Sequence, residues 1–209
     1  MVRAFHLARW MIEDCTAIIL AGGESKRMGQ DKASVKLAGK TLLARAIANL
    51  QPLFEDIIIS VREPIKDVGL PQLCDVGQDR APMMGIYRTL DEVKTNWVFV
   101  VAVDMPFVSA DLVKGLANKR GNHQLVAPMF DGHVQPLFAY YAKGCLPVMQ
   151  QQISDNQRSL RRLIERMDSL IVQKDELETF DAKLLSFLDL DSQHELEYAE
   201  NLLKTNQNR

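Results

Sequence analysis

Cys15-Thr16-Ala17-Ile18-Ile19-Leu20-Ala21-Gly22-Gly23-Glu24-Ser25-Lys26-Arg27-Met28-Gly29-Gln30-Asp31-Lys32 is the stretch that decides how this chain folds. Its first six residues form a short, largely apolar run followed by a glycine pair, the pattern of a parallel strand buried on both faces. Gly22, Gly23 and Gly29 then let backbone N–H groups approach a phosphate closely, while Lys26, Arg27 and Lys32 supply positive charge. A loop leaving the C-terminal end of a buried strand sits where open α/β sheets bind ligands. The stretch therefore predicts a nucleoside triphosphate site on an α/β fold.

The strand-helix alternation continues downstream. Thr41 to Leu50 is apolar on a helical period, and Asp56 to Val61 reads as a second buried strand. Trp97 to Val103 is a third, ending at Asp104-Met105-Pro106, after which Ser109 can cap a helix over 110–118. Gln124 to Phe130 and His133 to Tyr141 flank Asp131-Gly132, a two-residue hairpin signal that adds antiparallel strands. Helices are expected over 143–152 and 158–167, and a late strand over 187–190. Ser192-Gln193-His194-Glu195 is a capping box that opens a C-terminal helix. The expected architecture is a three-layer αβα fold with a mostly parallel mixed sheet, Rossmann-like in plan.

Composition bounds the function. With 209 residues, 47% of them apolar, the chain is long enough for one sizeable core, and no linker or repeat divides it. Residues 15–209 read as a single domain and 1–14 as an N-terminal extension, with Met11 an alternative start. The net charge of −2 and the lack of a basic run disfavour a nucleic-acid partner. Nothing approaches the roughly 20 apolar residues a membrane helix needs, and no signal peptide is evident, so the cytoplasm is the expected compartment. Three scattered cysteines, Cys15, Cys74 and Cys145, read as reduced thiols. With four scattered histidines they give no transition-metal spacing.

The chemistry rests on two elements. The loop matches neither G-x-x-x-x-G-K-[ST] nor G-x-G-x-x-G, so a P-loop ATPase and a standard dehydrogenase are disfavoured. What the loop offers is charge: Arg27 and Lys32 can neutralise a triphosphate and the charge that develops when its α-phosphate is attacked. Asp104 stands at the C-terminal end of the most hydrophobic strand, facing the same crevice. Magnesium takes oxygen ligands, commonly one or two carboxylates plus phosphate oxygens, which makes Asp104 the natural metal ligand for a nucleotide held by the loop.

These elements resemble the molybdenum cofactor guanylyltransferases, within the MobA-like nucleotidyltransferases of the nucleotide-diphospho-sugar transferase fold. The resemblance is carried by Leu20-Ala21-Gly22-Gly23, Ser25-x-Arg27-Met28-Gly29 and Asp31-Lys32, and by Asp104-Met105-Pro106-Phe107. Asp75, Pro82-Met83-Met84-Gly85-Ile86, Gln135-Pro136-Leu137, Arg158-Ser159-Leu160 and Asp189-Leu190-Asp191-Ser192 with Glu195-Leu196 follow in order. It implies transfer of GMP from GTP to molybdenum-bound molybdopterin, with release of pyrophosphate and with Mg2+ as cofactor. Arg27, Lys32 and Asp104 would be catalytic. Leu20, Ala21, Gly22, Gly23, Lys32, Asp75 and Asp104 would bind the nucleotide, and Asp104 the metal. Gln135, Pro136 and Arg158 would meet the pterin, and molybdoenzyme apoproteins or cofactor-maturation proteins are the protein partners it admits. The other cations of 158–166 read better as a solvated helix face.

The chain departs from the pattern in three places. Ala81-Pro82 replaces a usual Gly-Pro, Asp189 and Asp191 replace usual amides, and Ser60 stands where many relatives have asparagine. Two other readings stay open at this point: a cytidylyltransferase or other nucleotidyltransferase acting on a pterin or sugar phosphate, and a non-catalytic nucleotide-binding protein that delivers the cofactor.

Overall fold

A computed structural model describes residues 11–22, 24–25, 30–74 and 81–207. Its centre is an eight-stranded sheet whose strands are β1 (Cys15–Leu20), β2 (Ile57–Val61), β3 (Gln72–Cys74), β4 (Trp97–Ala102), β5 (Leu125–Phe130), β6 (His133–Val134), β7 (Phe138–Ala142) and β8 (Ser169–Val172). Their order is β6-β5-β7-β4-β1-β2-β3, with β8 paired to β5. β1 lies between β2 and β4, parallel to both, and β3 runs parallel to β2. β7 is antiparallel to β4 and to β5. The chain leaves β1 toward β2 on one side and later returns to β4 on the other, which creates the crevice of a topological switch point at the strands' C-terminal ends.

Alternation along the strands divides the core in two. Ala17, Ile19, Phe99, Val101, Phe138 and Tyr140 face one layer, and Ile18, Val98, Val100, Ala139 and Tyr141 face the other. The first layer holds α1 (Leu42–Leu50), α3 (Ala110–Ala117), α6 (Lys174–Phe180) and α7 (Gln193–Gln207), anchored by Leu42, Leu112, Leu177 and Ala199. The second holds α2 (Pro82–Glu92), α4 (Leu146–Ser154) and α5 (Leu160–Arg166), anchored by Met83, Met149 and Leu163. This is the expected αβα arrangement. The phenols of Tyr140 and Tyr141, wholly buried, donate to Val113 O at 2.9 Å and Pro136 O at 2.7 Å, so neither polar group is stranded.

Local signals set most boundaries. Thr41 and Ser109 cap α1 and α3 by accepting from Ala44 N and Leu112 N. Ser192 Oγ accepts from Glu195 N while Glu195 Oε2 accepts from Ser192 N, the reciprocal capping box expected at α7. Asp131 and Gly132, at φ of 50° and 75°, make the tight turn between β5 and β6. The second arm of that hairpin is not continuous: it breaks over 135–137, because Pro136 has no N–H for the ladder, and resumes as β7. The helix expected over 143–152 is a turn of 3-10 helix, Lys143–Cys145, followed by α4.

One expected element is absent. Phe187-Leu188-Asp189-Leu190 is not a strand; Leu185–Phe187 form a single 3-10 turn and the chain then runs on without joining the sheet. Ser186 N and Oγ both donate to Asp181 Oδ2, which holds that turn, and Leu190 N donates to Asp104 O at 3.0 Å. β3, α2, β8 and α6 are additions to the sequence reading.

The opposite, N-terminal edge of the sheet is closed by polar groups. Asp14 accepts from the backbone and side-chain N–H groups of Asn96, both at 2.8 Å. Arg120 donates to Ala117 O and Glu13 O, with its guanidinium carbon 5.5 Å from the Trp97 ring centre and 5.6 Å from that of Tyr140. Among the described residues no helix is long and apolar enough to cross a membrane.

Candidate nucleotide-binding site

The C-terminal ends of β1, β2 and β4 open into a cleft of about 200 Å³, lined by Leu20, Gly22, Lys32, Ser60, Arg62, Ala81, Pro82, Gly85, Ala102, Val103, Asp104 and Leu137. Each strand delivers its last residues to the same place. β1 and β4 stay paired past their ends, because Val103 N donates to Leu20 O at 3.1 Å. That bond fixes Asp104, one residue further on, beside the residues that follow β1.

Lys32 reaches the cleft from a turn of 3-10 helix, Lys32–Ser34, which Asp31 caps: its carboxylate accepts from Ala33 N at 3.1 Å. The Lys32 ammonium donates to Asp104 Oδ2 at 2.5 Å and also to Asp191 Oδ1. The side chains of Lys32 and Asp104 are each 14% exposed, so their charges face each other largely out of water, where attraction is strong. Burial alone would lower the Lys32 pKa; the hydrogen bonds and charges of Asp104 and Asp191 outweigh it and raise the pKa above the usual lysine value, keeping the ammonium charged.

The carboxylates crowd. Burial raises the Asp189 pKa first, a bond from its own backbone lowers it, and the charges of Asp191, Asp104 and Glu195 raise it further. The hard carboxylate oxygen of Asp104 in the cleft suits a divalent cation that arrives with a polyphosphate. Among the described residues no three His, Cys, Asp or Glu converge as a metal cage. Magnesium asks for less from a protein: one or two carboxylates, with phosphate and water completing its octahedron. Asp104 fits that role in its hard oxygen chemistry and its position.

The β2 and α2 side is tightly fitted. A Cβ on Gly85 would stand 2.4 Å from Ser60 Oγ and 3.3 Å from Leu20 Cδ2, so glycine is what lets α2 approach the strand ends. Ser60 is 4% exposed and its carbonyl accepts from Ala21 N at 2.8 Å. From sequence, Ala81, Pro82 and Gly85 enter only as part of the family pattern and Ser60 as a departure from it, while Arg62 is not singled out; a charged residue just past the C-terminal end of a buried parallel strand is the signal that would have found Arg62.

The predicted site residues divide as follows. Leu20, Gly22, Lys32 and Asp104 meet in the cleft. Ala21 is buried beside it, its N–H engaged by Ser60 O. Gly23, Arg27 and Asp75 lie outside the described residues. Of the residues expected at a pterin, Pro136 lines a separate cavity of about 370 Å³ with Met129, His133, Val134, Arg161 and Ile164. Gln135 Nε2 donates to His133 O, and Arg158 Nη1 donates to Ile153 O at 2.7 Å, near the C-terminal end of α4. None of these three borders the cleft that holds Lys32 and Asp104.

Known proteins share this architecture and sequence. The profile of the MobA-like NTP transferase domain matches residues 17–170. A protein of Natranaerobius thermophilus named probable molybdenum cofactor guanylyltransferase is 32% identical, covering 92% of this chain and 98% of its own. One of the same name from Clostridium perfringens is 34% identical over 76% of this chain and 81% of its own. In three dimensions the chain is similar to molybdopterin-guanine dinucleotide biosynthesis protein A from Archaeoglobus fulgidus, with a TM-score of 0.81 at 23% identity over 91% and 99% of the two chains. It is also similar to the 2-C-methyl-D-erythritol 4-phosphate cytidylyltransferase of Thermus thermophilus, with a TM-score of 0.66 at 17% identity over 90% and 98%.

Proposed function

We propose, for a chain that belongs to the MobA-like NTP transferase family, that it transfers GMP from GTP to the terminal phosphate of molybdopterin and releases pyrophosphate. The observation that carries this reading is the meeting of Lys32 and Asp104 across 2.5 Å at the C-terminal ends of β1 and β4, on the side where α/β sheets take nucleotides. The names of the relatives favour guanine and molybdopterin over other bases and acceptors.

The acceptor's phosphate is an oxyanion near neutral pH, so the reaction needs no general base from the protein. What it needs is alignment of the two phosphates and relief of the charge that gathers as the α-phosphate is attacked. Gly22, Leu20 and the start of α2, with Pro82 at its first turn, bound the nucleotide's berth. Lys32 stays protonated and meets the reacting phosphates, with Gly23 and Arg27 of the same glycine-rich stretch joining it. Asp104 would hold Mg2+, which supplies charge neutralisation and a template for the polyphosphate when bound. Asp75 would read the base, and Gln135, Pro136 and Arg158 would serve the pterin. We place the enzyme in the cytoplasm with its substrates.

The test is to incubate the protein with Mg2+, GTP and molybdopterin and identify the pterin product by mass, alongside melting curves with GTP, CTP, UTP and ATP. A guanine dinucleotide with equimolar pyrophosphate is expected, with GTP giving the largest rise in melting temperature. Stabilisation and turnover with CTP but not GTP would transfer the assignment to a cytidylyltransferase; nucleotide binding without pyrophosphate release would make the protein a carrier.

A further inference from the structure

Lys32 has a second carboxylate partner that lies far from the nucleotide loop in sequence. Asp191 is 159 residues away and beyond the segment 17–170 that carries the family profile. An ammonium group has three N–H donors. Asp104 takes one and Asp191 another, which fixes the direction of the third. A lysine side chain is a long, flexible stem with a point charge at its tip, and a single partner leaves that tip free to swing. Two carboxylates delivered by different elements do not.

Asp191 is itself held. Its backbone N–H and that of Ser192 both donate to Glu195 Oε2 at 2.7 Å, and Ser192 Oγ accepts from Glu195 N at 3.3 Å. Directly before it, Leu190 N donates to Asp104 O. The segment 190–192 is thereby tied at one end to Asp104, two residues past β4, and at the other to the first turn of α7. Glu195 serves two purposes: it caps the helix and it sets the place from which Asp191 reaches Lys32. The Asp191 side chain is 45% exposed against 14% for Asp104, so it grips the ammonium from the solvent side while Asp104 grips it from within.

We propose that Asp191, supported by the Glu195 capping box, is a positioning residue that acts through Lys32: it aims the ammonium's remaining N–H at the phosphates of the bound nucleotide, so that α7 completes a site otherwise built from β1, β2, β4 and α2. This rests on the nucleotidyl-transfer reading above. A carboxylate suits this task better than an amide, since an asparagine there would accept a hydrogen bond from Lys32 without holding its charge.

A double-mutant cycle separates this role from a direct one. Asp191→Ala is expected to lower kcat/KM for pyrophosphate release about ten-fold, and Asp191→Asn only a few-fold, with folding checked by melting temperature. In the Lys32→Ala background Asp191→Ala should have no further effect, because the residue through which it acts is gone. Equal losses in both backgrounds would overturn the proposal and put Asp191 on the substrate or the metal itself. A second readout does not need turnover: the 15N signal of the Lys32 ammonium, slowed in proton exchange by two carboxylates, should broaden in Asp191→Ala and persist in Asp191→Asn. An unchanged signal in Asp191→Ala overturns the clamp. If the unaltered protein neither binds a nucleotide with Mg2+ nor releases pyrophosphate, the transfer reading falls, and the ammonium signal alone decides whether Asp191 positions Lys32.

Discussion

The two ends of β1 and β4 treat charge in opposite ways. At their N-terminal ends Asp14 is held by two N–H groups of Asn96, and Arg120 by two carbonyls and the faces of Trp97 and Tyr140. At their C-terminal ends Asp104 and Asp191 both bind Lys32, and partial desolvation together with the charges of Asp191, Asp104 and Glu195 raises the pKa of Asp189. One end is arranged as a closed structure would be. The other leaves a carboxylate, Asp189, whose like-charged neighbours oppose its ionisation, an arrangement expected of a functional edge more than of a closed one. The same two strands thus carry a stabilising edge and a functional edge.

Variants that exchange the two edges' behaviours would break this comparison. The largest expected effect is at the functional edge: Lys32→Ala or Asp104→Asn should lower kcat for GMP transfer by about 10²-fold or more, as loss of a charge acting on the reacting phosphates does. Neither should remove the cooperative melting transition. Arg120→Ala should do the reverse, costing about 2 kcal/mol through lost carbonyl bonds and ring contacts, or about 4–8 °C in a domain this size, with kcat of the folded fraction unchanged. A kinetic defect in Arg120→Ala as large as that of Lys32→Ala would erase the distinction.

Next comes the fit between α2 and β2. Gly85→Ala is expected to cost about 1–2 kcal/mol by overpacking against Ser60 and to weaken nucleotide binding, and Ser60→Ala should recover part of both losses. Additive losses would mean that the crowding lies elsewhere. The smallest effects are those of pH. Asp14, with its pKa lowered by Asn96, adds stability that is complete above 3.8 and is lost as pH falls through its lower folded value. Asp189, with its pKa raised, carries a penalty that is absent below 3.8 and grows as pH rises through its higher folded value. Chemical denaturation across acid pH should therefore find Asp14→Asn destabilising and Asp189→Asn stabilising near neutrality, with both differences shrinking in strong acid.

What the sequence revealed follows the same division. β1 and β4 were legible because five consecutive buried residues in each leave few alternatives, and α3 and α7 because a serine cap announces each. β3 has three residues and β8 four, too few for a pattern, and α6 buries Leu177 alone among its seven. Phe187-Leu188-Asp189-Leu190 alternates like a strand, yet its alternation reflects a chain threading between the core and the cleft rather than a place in the sheet. Lys32 and Asp104 were legible as charge at strand ends. The grip of Asp191 on Lys32 was not, because nothing local to residue 191 says which of 25 basic side chains it will meet.

The three thiols give the protein a native attachment point for a reporter. Burial pushes the pKa values of Cys15 and Cys145 up to about 12, and both side chains are buried. Cys74 is partly exposed at the end of β3, one strand from the cleft, with its carbonyl bound by Arg88. A maleimide dye under neutral, native conditions should therefore enter at one position, directly before Asp75. Without any engineered cysteine, the emission of such a dye would follow that rim of the molecule as nucleotides come and go.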